Sequence, residues 1–217
     1  GITKEELLMQ MSEDLEELAR RRNITKEQVI DKLKENYDGY HFTRFSPDIF
    51  NPYSLLNCFA ENKFGSYWFT SGTPTYLINM MRKYQVVPTD VITRVEADAS
   101  EFDAPTENMP TIMPLLYQSG YITIKEYHED YNYYVLDVPN KEVKMGLTKA
   151  LIPSYVTQNT LATTNTARRI AQALDKQNME EALTLLQTFL GTVPYCNNAH
   201  YEGHYQQMLY ILFALLT

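Results

Sequence analysis

The chain has 217 residues, 44% hydrophobic and 21% charged, a balance that suits a folded protein with a sizeable core. Its 19 basic and 27 acidic residues leave a net charge of -8, which opposes diffuse attraction to a phosphate backbone and argues against nucleic acid as a partner of this chain alone. No apolar run approaches the roughly 18 residues of a membrane span, no secretory leader is read, and two distant cysteines, Cys58 and Cys196, form no disulfide framework, so a cytoplasmic location is expected.

Thr3 with Glu6 forms a capping box, and Leu7, Met11, Leu15 and Leu18 then fall on one helical face. Arg20, Arg21 and Arg22 close that helix, where cations complement the dipole. Thr25 and Gln28 repeat the box before a second helix carrying Val29, Ile30 and Leu33. The pattern breaks at Tyr37-Asp38-Gly39-Tyr40-His41-Phe42, and an aromatic stretch runs through Phe45 and Phe50 to Asn51-Pro52. A helix over Tyr53 to Asn62 follows, then Tyr67-Trp68-Phe69, then a turn at Ser71 to Pro74 that opens a helix through Tyr76, Leu77, Met80 and Met81. Residues 88–108 carry Glu96, Asp98, Glu101, Asp103 and Glu107 and read as an acidic connector.

From 115 to 143 the hydrophobic period switches twice. A helix stops at Ser119-Gly120, and two strands, Tyr121 to Tyr127 and Tyr131 to Val138, flank the polar turn His128-Glu129-Asp130. Pro139 ends the second strand, and Asn140 caps a helix with Val143, Leu147, Leu151 and Tyr155 on one stripe. Thr157 to Thr166 reads as a polar hinge, followed by helices over Thr166 to Lys176 and Met179 to Leu190, the latter with Met179, Leu183, Leu186 and Leu190 on its apolar face. The last helix, Tyr201 to Leu216, is apolar all round. Leu209, Leu212, Phe213 and Leu216 are therefore expected in an intermolecular contact or partly exposed, with self-association through this helix. The fold class expected is mainly α with a small β-hairpin, an α+β chain.

The segments YDGYHF (37–42), NPYSLL (51–56), YWFTSGTPTYL (67–77), LLYQSGYITI (115–124), YVLDVPNKEV (134–143) and PYCNNAHYEGHY (194–205) together resemble the bacterial AAA-ATPase-like proteins that carry a C-terminal PD-(D/E)XK nuclease-like domain. The resemblance implies a P-loop ATPase domain, a helical and winged-helix middle, and a nuclease fold, of which this chain is similar to the middle. It gives a helical lid-like domain at 1–95, a winged-helix-like domain at 96–157, and a helical connector at 158–217 leading into a nuclease-like domain cut at Thr217. ATP and magnesium belong, on this resemblance, to the full-length parent, and the partners are its own P-loop and nuclease-like domains. No GxxxxGK[ST] loop occurs in these residues, so ATP binding and hydrolysis by the chain alone are not expected.

Gly72, Thr73 and Pro74 resemble the turn that faces adenine in the lid of related ATPases, although proline in a first helical turn needs no ligand to explain it. Tyr37 to Tyr40 with Asn51-Pro52 competes for that role, against a reading as an aromatic-packed loop with Gly39 at positive φ. Glu202 corresponds by resemblance to the first-helix glutamate of the nuclease fold. Cys196, His200 and His204 are spaced i, i+4, i+8, yet Pro194 and Asn197-Asn198 place Cys196 in a turn and HYEGH departs from HExxH, so no metal site and no catalytic set are read here. The function expected is a non-catalytic regulatory and interaction segment that couples nucleotide state to the C-terminal domain. Its alternatives are a DNA-binding winged helix using Lys125, Lys141, Lys144 and Lys149, and a truncated nuclease.

Overall fold

The computed structural model describes residues 1–69, 75–155, 160–192 and 201–216. Its architecture is mainly α with one small antiparallel sheet. The capping box of Thr3 and Glu6 opens α1, Lys4–Gln10. The Leu7 to Leu18 stripe is not one helix: the chain turns at Met11, where φ is -121°, and α2 begins at Ser12 and runs to Arg22. Asn23 ends α2 in the left-handed conformation, and Thr25 with Gln28 caps α3, Lys26–Tyr37. Asn51 accepts from the N–H groups of Tyr53 and Ser54 and so starts α4, Pro52–Glu61. Leu7, Leu15, Leu18, Val29, Leu33, Tyr37, Leu55 and Cys58 form a core with no solvent exposure. α5, Thr75–Lys83, buries Leu77 and Met81.

Cys58 gives the first testable consequence. Burial raises its thiol pKa from 9.0 to about 11. Native Cys58 is therefore expected to alkylate roughly 100-fold more slowly at neutral pH than in the denatured chain, read by mass spectrometry of its peptide. Because the folded pKa is the higher one, its contribution to stability is present below pH 9 and is lost as pH rises toward 11. Equal native and denatured rates would refute the enclosed core.

Residues 88–108 are not a bare connector. They form α6, Pro88–Val91, then β1, Val95–Ala97, then α7, Ala99–Phe102, and a short 3-10 turn at Thr106–Asn108. After α8, Met113–Gln118, come β2, Thr123–His128, β3, Tyr133–Asp137, and α9, Lys141–Tyr155. The expected hairpin forms with its turn at Glu129 to Asn132, and Gly120 takes a φ of 76° after α8. The sheet is larger than a hairpin, in the order β1-β3-β2. Val95 lies opposite Leu136 and Ala97 opposite Tyr134, so the acidic segment supplies a third strand, and β1 spans the 95/96 position. Phe102 is 1% exposed and meets Tyr117 and Tyr134 edge-on at 4.8 and 5.3 Å.

α10 runs from Thr160 to Asp175, so the threonine-rich stretch expected to be a hinge is helical from Thr160. Its hydroxyls turn back on the helix: Thr164 donates to the Thr160 carbonyl at 2.7 Å and Thr166 to that of Ala162 at 3.0 Å. α11, Met179–Gly191, buries Ala182 and Phe189 and leaves Met179 and Leu183 exposed, so the apolar stripe read from its leucines is not its core face. In α12, Tyr201–Ala214, Met208, Ile211 and Leu212 are fully buried while Phe213 is 50% exposed, so this helix is not covered on every side.

The contacts divide the chain into two compact units, one of residues 1–86 and 91–146, the other of 87–90 and 147–217. In the second unit α10 packs on α11 and α12, and Gln207 exchanges two hydrogen bonds with Thr89, at 3.1 and 3.2 Å. In the first, the core cluster lies among α1 to α4.

Candidate functional site

The densest polar cluster in the first unit joins the YDGYHF loop and α4 to the hairpin and the start of α9. Gly39 turns the loop with φ of 88°, a conformation that glycine adopts without penalty. His41 donates its N–H to Thr123 Oγ1, and that hydroxyl donates to the His41 carbonyl, both at 2.8 Å. The register of β2 slips between Ile124 and Glu126, placing Lys125 in a bulge. Lys125 Nζ donates to the carbonyls of Gly39 and Pro139, each at 3.0 Å. Burial lowers the Lys125 pKa, while Asp48, Asp137 and Asp38 act in the opposite sense.

Asn140 does two things at once. Its Oδ1 accepts from the Val143 N–H at 3.1 Å, capping α9, and its Nδ2 donates to the Asp38 carbonyl at 3.0 Å. Two positions on, the 4% exposed carboxylate of Glu142 accepts from Ser54 Oγ at 2.6 Å, from the Trp68 N–H at 2.8 Å and from the Tyr67 N–H. Among the described residues Asp38 Oδ1 and the Tyr40 hydroxyl find no hydrogen-bond partner. Burial raises the pKa of both, that of Tyr40 to about 12. Tyr40 also lines a cavity of about 170 Å³ together with Gly1, Phe42, Ile49, Phe50, Asn51 and Pro52.

These donors and acceptors are spent largely on backbone groups, so the cluster is a joint between loops rather than a convergent acid and base. Among the described residues no group of three or more His, Cys, Asp or Glu side chains is placed to hold a metal ion. Gly72, Thr73 and Pro74 lie outside the described residues, as do Cys196 and His200. Glu202 falls in the first turn of α12, with its side chain outside the described set, and His204 is half-buried on the same helix. The aromatic-packed reading of the Tyr37 to Phe42 loop matches its geometry, with Tyr40 stacked on Phe42 at 6.3 Å between centroids.

Lys125 is drawn inward, Lys141 pairs with Glu35 at 3.0 Å, and Arg20 and Arg21 both pair with Glu17. Lys125 stands in the sequence only as a candidate DNA-facing lysine and Glu142 only as an acidic residue between Lys141 and Lys144, so the inward role of both was missed. A weak signal existed in Pro139-Asn140, a strand stop and helix cap that brings the next carboxylate into the first turn of α9.

A protein of Azotobacter chroococcum mcd 1, described as "Uncharacterized protein in vnfD 5'region", is 30% identical to this chain over 193 residues. The match takes in 86% of this chain, which spans 37% of the length of that relative. No family model matches the chain, and no solved structure matches it.

Proposed function

We propose that this chain is a non-catalytic regulatory and interaction segment of a longer ATPase-like, nuclease-linked protein, coupling the nucleotide state of a P-loop domain to a C-terminal nuclease-like domain. The observation that carries the reading is the joint: Lys125, Asn140 and Glu142 tie the Gly39 loop, α4 and the Tyr67-Trp68 backbone to the hairpin and α9. A displacement of the loop is passed on because each link is a direct hydrogen bond in a buried or partly buried setting, where breaking one partner is costly. The span of 37% against the Azotobacter relative leaves room for such domains in a longer chain. ATP and magnesium are the ligands of the P-loop domain, and Gly72, Thr73 and Pro74 are the turn that faces the adenine. Lysines that are paired or drawn inward favour protein surfaces over DNA as the partner.

Hydrogen exchange on the longer protein, with and without ATP and magnesium, tests this. The amides of His41, Tyr67 and Trp68 should change their protection by about tenfold or more on nucleotide binding, equivalent to about 1.4 kcal/mol. Nucleotide that binds tightly and leaves all three unchanged would overturn the coupling role.

A further inference from the structure

Glu142 is an expensive residue to bury for stability alone. Taking a carboxylate out of water is offset only when its oxygens are well satisfied, and an apolar side chain of similar volume commonly serves stability as well or better. What a satisfied buried carboxylate adds is one defined geometry. Glu142 is 4% exposed and lies in the first turn of the 15-residue helix α9, whose dipole favours a negative charge there. Its Oε2 takes the Ser54 hydroxyl of α4, and its Oε1 takes the consecutive backbone N–H groups of Tyr67 and Trp68. Two stretches that lie 74 to 88 positions before Glu142 in sequence thus meet on its side chain.

We propose that Glu142 is the positioning residue that sets the course of the Tyr67-Trp68 backbone relative to α4 and α9. This rests on the function proposed above, in which the joint passes on the nucleotide state. The Tyr67 hydroxyl donates to the Lys63 carbonyl at 2.7 Å and ties that residue back to the end of α4, while the next two rings are held by packing: Trp68 on Tyr121 at 5.1 Å between centroids and Phe69 on the same ring at 6.0 Å. Ring packing of this kind tolerates sliding, whereas two N–H groups on one carboxylate oxygen do not. Gly146, one turn further along α9, completes the seat, since a Cβ there would run into the Phe69 ring.

Trp68 is the chain's single tryptophan, so its emission reports the segment directly. In the whole chain, Glu142→Ala should shift Trp68 emission to the red and raise acrylamide quenching by about threefold, with far-UV circular dichroism unchanged. Glu142→Gln keeps an acceptor for the two N–H groups and should restore most of the native signal. Should Glu142→Ala not fold, Ser54→Ala carries the test, with a rise of about twofold expected from losing one of the three bonds. Native emission and quenching in every folded variant would show that ring packing and the Tyr67 hydroxyl position the segment without Glu142, and would sink the proposal. The expected red shift and raised quenching of Trp68 in Glu142→Ala, together with unresponsive amides in the nucleotide experiment, would instead remove the coupling function and leave the positioning role standing.

Discussion

Gly39→Ala is expected to destabilise the first unit by roughly 2 to 4 kcal/mol, read as a lowered urea midpoint at unchanged slope. Two causes add. At a φ of 88° any residue with a Cβ is strained. The new methyl would also lie 2.9 Å from Lys125 Nζ and collide with the Pro139 carbonyl oxygen, so it would strike both members of a hydrogen bond that closes the joint. Gly120→Ala separates the causes, because Gly120 has a similar φ of 76° while its nearest obstacle is the Tyr40 ring at 3.4 Å. That variant should show backbone strain alone, about 1 kcal/mol. Equal losses at the two positions would mean that the Lys125 clamp is not rigid.

Much of the local chemistry that closes within four residues was legible in the sequence, although the box of Asp98 with Glu101 went unread inside the acidic stretch. The boxes at Thr3 and Thr25, the glycine stop at Gly120 and the cap at Asn140 all stand where residue type and spacing put them. The hairpin was legible for the same reason, since alternation and a polar turn specify it locally. What stayed hidden depends on distant partners. β1 is three residues long and gains its strand character from β3, about forty positions on. The buried face of α11 is set by α10 rather than by its own leucines, and a cap-like Asn178 starts the helix without fixing its rotation. Lys125 and Glu142 look like surface charges in any short window, because the carbonyls and N–H groups that satisfy them come from 14 to 86 and from 74 or 75 positions away.

Phe102→Ala is the substitution that most directly separates an acidic connector from a structural layer. In a solvated linker the change should lie within about 0.5 kcal/mol, since a surface truncation touches little. Phe102 instead sits 1% exposed at the end of α7, against rings from α8 and from β3. Truncation removes its buried area and leaves a hole, so the expected loss is about 3 to 5 kcal/mol. Acidic residues at Glu101 and Asp103 cannot fill that hole, because both are exposed and flank the ring from the solvent side. Part of the loss belongs to ring geometry: a double-mutant cycle of Phe102→Leu with Tyr134→Leu should return a coupling of about 0.5 to 1.5 kcal/mol beyond the area lost. Urea unfolding followed by circular dichroism decides the matter. A Phe102→Ala midpoint within error of the wild type would mean that β1 and α7 lie on the sheet without stabilising it.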